Sequence, residues 1–310
     1  MTTLRVRPRD VDASYQDELL ERWTVAVMAN FDASRANASK VARANLDRRL
    51  AAAECVAFEL VRNGEVVGTC LLEPTSTSDG APWVVSDLDA HDDVAPNDIM
   101  SVLLDIVHEH GGRALQMSRS DRSDVAARVI ATRPHEVAAT RMLCDLQGPS
   151  SAPSSTVELT AMDDDEFAEF FAGERDSYAR SIADSGLATY EDALVESEKQ
   201  LGELLPDGRE TKGQSFYVGR VGGQRVGSLW LSITDDGDGL RAYVYNVEVD
   251  EPSRGRGYGR GLMLAAEHAA RAAGCQQIGL NVFGFNHVAR ALYDSLGYVA
   301  RVEMVTIPAT

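Results

Sequence analysis

The residues of this chain best placed to do chemistry are Arg254-Gly255-Arg256-Gly257-Tyr258-Gly259-Arg260-Gly261. They follow a predicted strand, Tyr243 to Val249, turn at Pro252 and Ser253, and lead into a predicted amphipathic helix, Gly257 to Ala273. Four glycines in seven residues let the backbone take positive φ and let a ligand approach the main chain. The first N–H groups of a helix have no internal acceptor and sit at the positive end of the dipole, so a diphosphate fits there. Spacing narrows the ligand. A Walker loop needs a lysine after its glycines and none follows; a dinucleotide fingerprint counted from Gly255 and Gly257 lands on Arg260. The remaining pattern is R-x-x-G-x-G, carried by Arg254, Gly257 and Gly259. The competing readings are a plain glycine-rich turn and an RNA-contacting RGRG patch. A net charge of −18 opposes the second, because phosphate-backbone binding needs concentrated Lys and Arg.

A second motif lies downstream. After a strand Ile278 to Phe283 comes Asn286-His287-Val288-Ala289-Arg290-Ala291-Leu292-Tyr293-Asp294-Ser295-Leu296-Gly297-Tyr298. The two motifs, in this order and with their strands, resemble the GCN5-related N-acetyltransferase family over about residues 213 to 305. The resemblance implies acetyl-CoA as cosubstrate, with no metal, bound through backbone amides of Arg254, Gly255, Arg256, Gly257, Tyr258, Gly259 and Arg260. It further implies pantetheine contacts from the main chain around Val247 and Val249, a coenzyme contact from Asn286, and direct transfer to an amine in a ternary complex. Removing the proton of an alkylammonium, with a pKa of roughly 10, calls for a base or a desolvating site. Strict alternation along the strand puts Tyr243, Tyr245, Val247 and Val249 on one face and Val244, Asn246, Glu248 and Asp250 on the other. The family often carries a carboxylate on this strand. Glu248 is therefore the candidate base, with a surface salt bridge as the alternative; relatives often have Asp where this chain has Asn246. By its motif position Tyr293 is the candidate acid beside the sulfur, although Val288, Leu292 and Leu296 at helical spacing also allow it to be a core aromatic. Asn286 can equally cap the helix that follows it.

Other chemistries lack support. His108 and His110 are two apart on a predicted helix and cannot share a metal. No G-x-S-x-G elbow is present, and the four cysteines have no C-x-x-C spacing. No apolar run approaches the roughly 20 residues of a membrane span, so a cytoplasmic address without membrane or nucleic-acid partners is expected.

The elements that must position these residues recur in both halves. In the second half, strands are predicted at Ser215 to Arg220, Arg225 to Ser232, Leu240 to Asp250 and Gln277 to Phe283, with helices at Gly257 to Ala273 and His287 to Leu296. In the first, strands at Phe58 to Arg62, Val66 to Leu72, Trp83 to Leu88 and Ala114 to Ser118 accompany helices at Asn97 to His110 and Asp124 to Thr132. A shift of about 161 positions sets Leu88 on Val249, the mark of an internal duplication. The expected architecture is α+β, two tandem acetyltransferase-type copies, each a mixed, largely antiparallel sheet with helices on both faces. The breakers of Gly148 to Ser155 form a linker between a degenerate copy at 1–147 and a catalytic copy at 156–310. At that shift Asp93, Pro96 and Asp98 replace Arg254, Gly257 and Gly259, so the first copy is not expected to bind coenzyme A. It is expected to pack a sheet edge against the second. The acceptor groove is expected between the region Asp163 to Leu204 and the segment before Met304; the acceptor is a small-molecule or peptide amine and the protein a monomer or homodimer. Two alternatives share this frame. Mycothiol synthase resembles the chain in length and in pairing a degenerate with an active copy, and would acetylate an amino sugar conjugate. A non-catalytic acyl-CoA sensor would keep the cradle and lose turnover.

Overall fold

The computed structural model describes residues 4–51, 55–120, 124–147, 156–235 and 237–309; the linker 148–155 lies outside them. In the first half the order is β1 (Arg5–Arg9), α1 (Ala13–Phe31), α2 (Arg35–Ala51), β2 (Val56–Arg62), β3 (Glu65–Pro74), β4 (Trp83–Ala90), α3 (Pro96–Glu109), β5 (Ala114–Arg119), α4 (Asp124–Ile130) and β6 (Glu136–Asp145). The second half repeats it as β7 (Glu158–Ala161), α5 (Asp164–Asp184), α6 (Tyr190–Leu204), β8 (Gln214–Val221), β9 (Gln224–Asp235), β10 (Leu240–Val249), α7 (Tyr258–Ala272), β11 (Gln277–Phe283), α8 (His287–Ser295) and β12 (Val299–Pro308). β1 begins at 5 and β7 at 158, whereas β6 begins at 136 and β12 at 299, so the copies drift from 153 to 163 residues apart. No single shift superposes them, because the segments between elements differ in length.

The halves do not meet edge to edge. One sheet runs β1-β2-β3-β4-β5-β12-β6-β11-β10-β9-β8-β7. Each copy gives its last strand to the other: β12 pairs with β5, β6 pairs with β11, and β6 and β12 pair with each other, all antiparallel. The expected edge packing is thus replaced by an exchange of strands. It satisfies backbone groups that an abutting edge would leave unpaired. Among the described strands, only β4 with β5 and β10 with β11 run parallel.

Helices cover both faces. α7 illustrates the local logic: Gly257 at φ 81° begins it, Leu262, Met263, Ala266 and Ala270 recur on one side, and Gly274 at φ 88° stops it. The stop is a six-to-one turn, with Cys275 N–H donating to the Ala270 carbonyl at 2.9 Å. Met263 and Ala266 pack on Leu229, Leu231, Val244 and Leu280 of the sheet. Burying Met263 alone contributes about 2 kcal/mol. This packing aims the start of α7 along the end of β10. On the opposite face Phe167 and Phe170 of α5 and Leu201 of α6 cover Phe216, Val218 and Trp230.

Candidate active site

Arg254 to Arg260 form an exposed bend between β10 and α7. Gly255 and Gly257 have φ of 75° and 81°, values that disfavour any side chain, and nothing lies within 4 Å of where their Cβ atoms would stand. No side chain caps the helix. The first-turn amides therefore face open space large enough for a ligand to approach the main chain. Arg254 holds the bend to the strand through Nε, which donates to the Val249 carbonyl at 3.2 Å, and pairs with Glu248 at 3.6 Å. Arg260 donates to Ser295 of α8.

β10 pairs with β11 only from Arg241–Gln277 to Val244–Leu280. Beyond that point β10 continues to Val249 and β11 to Phe283, but only β9 and β6, respectively, carry their ladders onward. The two strands splay, and the cleft between them opens towards the glycine bend. A bulge sits at the same place: Val244 is opposite Leu231 and Asn246 opposite Trp230, leaving Tyr245 extra. The bulge overturns the strict alternation expected from sequence. Val247 and Val249 face α7 with Leu262, while Tyr243, Tyr245, Asn246 and Glu248 share the α5 side. Asn246 is thereby brought to a helix that spacing alone did not connect with it.

On that side the structure supplies a carboxylate the sequence reading missed. Glu174 of α5 is 9% exposed and accepts from Asn246 Nδ2 at 2.8 Å. Burial first, then the neighbouring negative charge of Glu248, pushes its pKa up to about 7, against the lowering effect of the Asn246 bond. Glu248, the predicted base, is exposed and engaged with Arg254, as its alternative reading anticipated, yet it stands near enough to raise Glu174. Asn246 Oδ1 is buried with no hydrogen-bond partner among the described residues. An unmet buried acceptor costs about 1–3 kcal/mol, which an N–H donor entering the site would relieve. Aromatic side chains wall the space: Trp230 stacks on Tyr245 at 4.6 Å, Tyr245 meets Tyr243 at 4.9 Å, and Tyr178 meets Phe283 at 6.2 Å.

Tyr293 is 6% exposed on α8, its ring 5.8 Å from that of Tyr298, and burial raises its pKa to about 12. It belongs to the core beneath α7 and α8, so the core reading describes its packing. Asn286 caps α8, its side-chain oxygen accepting from Ala289 N–H at 3.1 Å.

The first copy repeats the geometry with different chemistry. Its bulge falls at Ser86, between Val85 opposite Leu72 and Asp87 opposite Leu71. The next residue, Asp87, meets Arg22 of α1 at 2.6 Å and Trp23 Nε1 at 3.1 Å. A guanidinium thus stands where the second copy has Glu174, and it pairs with Asp87 and, at 3.9 Å, with Asp89 of the same strand. At the helix start the cap is Ala95 with φ −65°, followed by Pro96. The sequence shift had set Pro96 against Gly257; the caps place Ala95 there, one residue earlier. Asp92 and Asp93 pair with Arg128 and Arg62.

A glycine bend at a helix N-terminus beside a splayed, bulged strand, on a mixed sheet, defines an acyltransferase fold, and sequence comparison agrees: the model of the Acetyltransferase (GNAT) family matches residues 166–298. The chain belongs to that family. It is 31% identical over 144 residues to the uncharacterized N-acetyltransferase YycN of Bacillus subtilis, covering 46% of this chain and 92% of that one. It is 32% identical over 178 residues to mycothiol acetyltransferase of Thermobifida fusca, covering 51% of this chain and 52% of that one. A GCN5-related N-acetyltransferase from Sphaerobacter thermophilus superposes over 99% of this chain and 96% of its own with a TM-score of 0.56; at 18% identity this speaks to the fold, here the whole tandem fold.

Proposed function

We propose that the second copy transfers an acetyl group from acetyl-CoA to the amine of a small molecule or peptide. The observation that carries the proposal is the convergence of the glycine bend, the splayed edge of β10 and the buried Glu174 on one cleft. The diphosphate of acetyl-CoA fits the amides of 254–260, and the backbone around Val247 and Val249 fits its pantetheine arm. Bound there, acetyl-CoA supplies the acetyl group as a thioester. Glu174 takes the proton of the incoming ammonium. A base with a pKa of about 7 is half ionised near neutral pH, and a buried site lowers the ammonium pKa from roughly 10 towards it. Glu248 tunes Glu174 through its charge and can relay the proton outward. Tyr293 acts as a hydrogen-bond donor to the sulfur: with a pKa of about 12 it stays protonated, while an ordinary thiol titrates near ~8.5, so complete proton transfer would run uphill by about 5 kcal/mol.

The first copy, with Arg22 on Asp87 and a proline at its helix start, shapes the site without binding coenzyme. No described helix is long and apolar enough to cross a membrane. Partial matches to mycothiol acetyltransferases favour one narrower acceptor, an amino sugar conjugate. Titration calorimetry with CoA and acetyl-CoA, followed by a thiol-release assay over amines, peptides and amino sugar conjugates, tests the proposal. Coenzyme binding with release on a subset of amines is expected; no heat from either thioester or free coenzyme would refute it, and binding without release on any amine would leave a sensor in its place.

A further inference from the structure

Arg141 lies on β6, the strand the first copy inserts beside β11, and is paired across the ladder with Asn281. It is exposed on the α5 side of the sheet, lies close enough to Tyr243 for its charge to oppose the burial that raises that phenol's pKa, and stands 5.4 Å from the ring of Phe31 at the end of α1. Among the described residues no carboxylate lies within ion-pair distance of it. The nearby Asp32 is engaged elsewhere, accepting from Gln277 Nε2 at 3.2 Å and meeting Arg301 at 3.5 Å. Arg301 is itself incompletely satisfied, with Nε buried and without a hydrogen-bond partner among the described residues. Arg241 adds a third guanidinium, donating to the carbonyls of Phe31 and Asp32. In a chain of net charge −18, Arg141, Arg241 and Arg301 gather at the end of the aromatic cleft with Asp32 and Asp238 beside them, a local excess of positive charge.

We infer that Arg141 binds an anionic group on the acceptor, so that the enzyme selects amines carrying a carboxylate or phosphate at a set distance from the nitrogen. The inference rests on the acetyltransferase reading of the same cleft. Tyr243, which lies beside Arg141, and Asn246, which holds Glu174, are three residues apart on one strand. The bulge takes Tyr245 out of that run, so the ladder advances only two residues, from opposite Ser232 to opposite Trp230, and the two ends stand roughly 7 Å apart at about 3.3 Å per residue. An extended dipeptide spans this distance between its amino terminus and its carboxylate. The guanidinium fork suits planar carboxylate recognition, and the facing Tyr243 hydroxyl and Phe31 ring hold its plane. The site is composite. The amine is handled by the second copy and the anion by a strand of the first, which gives the degenerate copy a part in choosing the acceptor.

The test compares acceptors that differ only in the anion: glycylglycine against glycylglycinamide, and aminobutyl phosphate against aminobutanol. In the unaltered protein one charged member is expected to show a kcat/KM about 10- to 100-fold above its neutral partner, mostly through KM, as one charge-assisted contact provides. Which pair shows it tells carboxylate from phosphate. Arg141→Gln is expected to bring that ratio close to one, and Arg141→Lys to restore part of it; a merely structural role would lower both members together and leave the ratio standing. Equal kcat/KM for charged and neutral members, or a ratio indifferent to Arg141→Gln, overturns the inference while leaving the acetyltransferase reading intact. Should no amine be acetylated, that reading fails by itself, and the inference is decided by calorimetry of the same pairs on the CoA-saturated protein: charge-dependent binding abolished by Arg141→Gln supports it, and equal affinity for both members overturns it.

Discussion

Replacing Glu174 by glutamine isolates the group on which the proposed chemistry turns. The substitution keeps the shape and an oxygen for the Asn246 amide to bond, and removes the charge. A carboxyl whose pKa rises from 4.5 to about 7 on folding holds a proton in the folded protein that the unfolded chain has lost between those values. Stability contributed by this group is therefore complete below pH 4.5, declines as pH rises, and levels off above pH 7 at a cost of about 3 kcal/mol, taking 1.36 kcal/mol per unit. Glu174→Gln does not ionise. Relative to the unaltered protein it should be of similar stability at pH 4 and up to about 3 kcal/mol more stable at pH 8, read from urea denaturation at each pH. Activity should move the other way. The unaltered enzyme is expected to lose kcat/KM below an apparent pKa near 7, and Glu174→Gln to be slower by roughly 10²- to 10⁴-fold with that acidic limb gone. An acidic limb that persists near pH 7 in the variant would refute the base assignment, and a variant less stable than the parent at pH 8 would refute the burial argument behind it.

Glu248→Gln removes the negative charge that helps raise Glu174, so the acidic limb should shift to lower pH while much of the rate survives; an unmoved limb would show that the two carboxylates are uncoupled. Tyr293→Phe should slow thiol release by about tenfold with little change in coenzyme affinity by calorimetry, and equal loss of both would count against a role at the sulfur. Gly257→Ala puts a Cβ on a residue at φ 81° and should cost about 1–2 kcal/mol, seen as weaker CoA binding, a lower Tm, or both; a neutral result would mean the bend does not need its left-handed turn. Coenzyme should bind with a stoichiometry of one per chain, since Ala95 and Pro96 replace the glycine start in the first copy, and two equivalents would contradict its silence.

Local signals account for what could be read before folding. The glycine bend, the strand before it, the helix after it and the Asn286-to-Tyr298 segment are contiguous, and their meaning lies in backbone conformation and short-range periodicity. Comparison of the two halves exposed the duplication for the same reason, since corresponding elements keep their order and much of their length. The acidic cluster Asp163 to Glu166 marks the start of α5, but α1, α2 and α6 do not announce themselves as helices, nor β1, β6, β7 and β12 as strands; the outer elements of each copy carry mixed patterns, with α2 mostly polar and its buried side chains limited to Asn37, Ala38, Ala42 and Leu46.

The amino-acid sequence by itself determined the coenzyme-type bend, the acetyltransferase resemblance and the tandem arrangement, because each is written in residues close together along the chain. Tertiary structure alone decided which carboxylate is buried, which face Asn246 takes and which copy owns which strand. Glu174 and Asn246 are 72 positions apart and meet only because one extra residue, Tyr245, turns the strand over. Arg141 and Tyr243 share a cleft only because β6 leaves its own copy to pair with β11. A raised pKa and a composite site both depend on what surrounds a group in space, and no spacing along a chain records that.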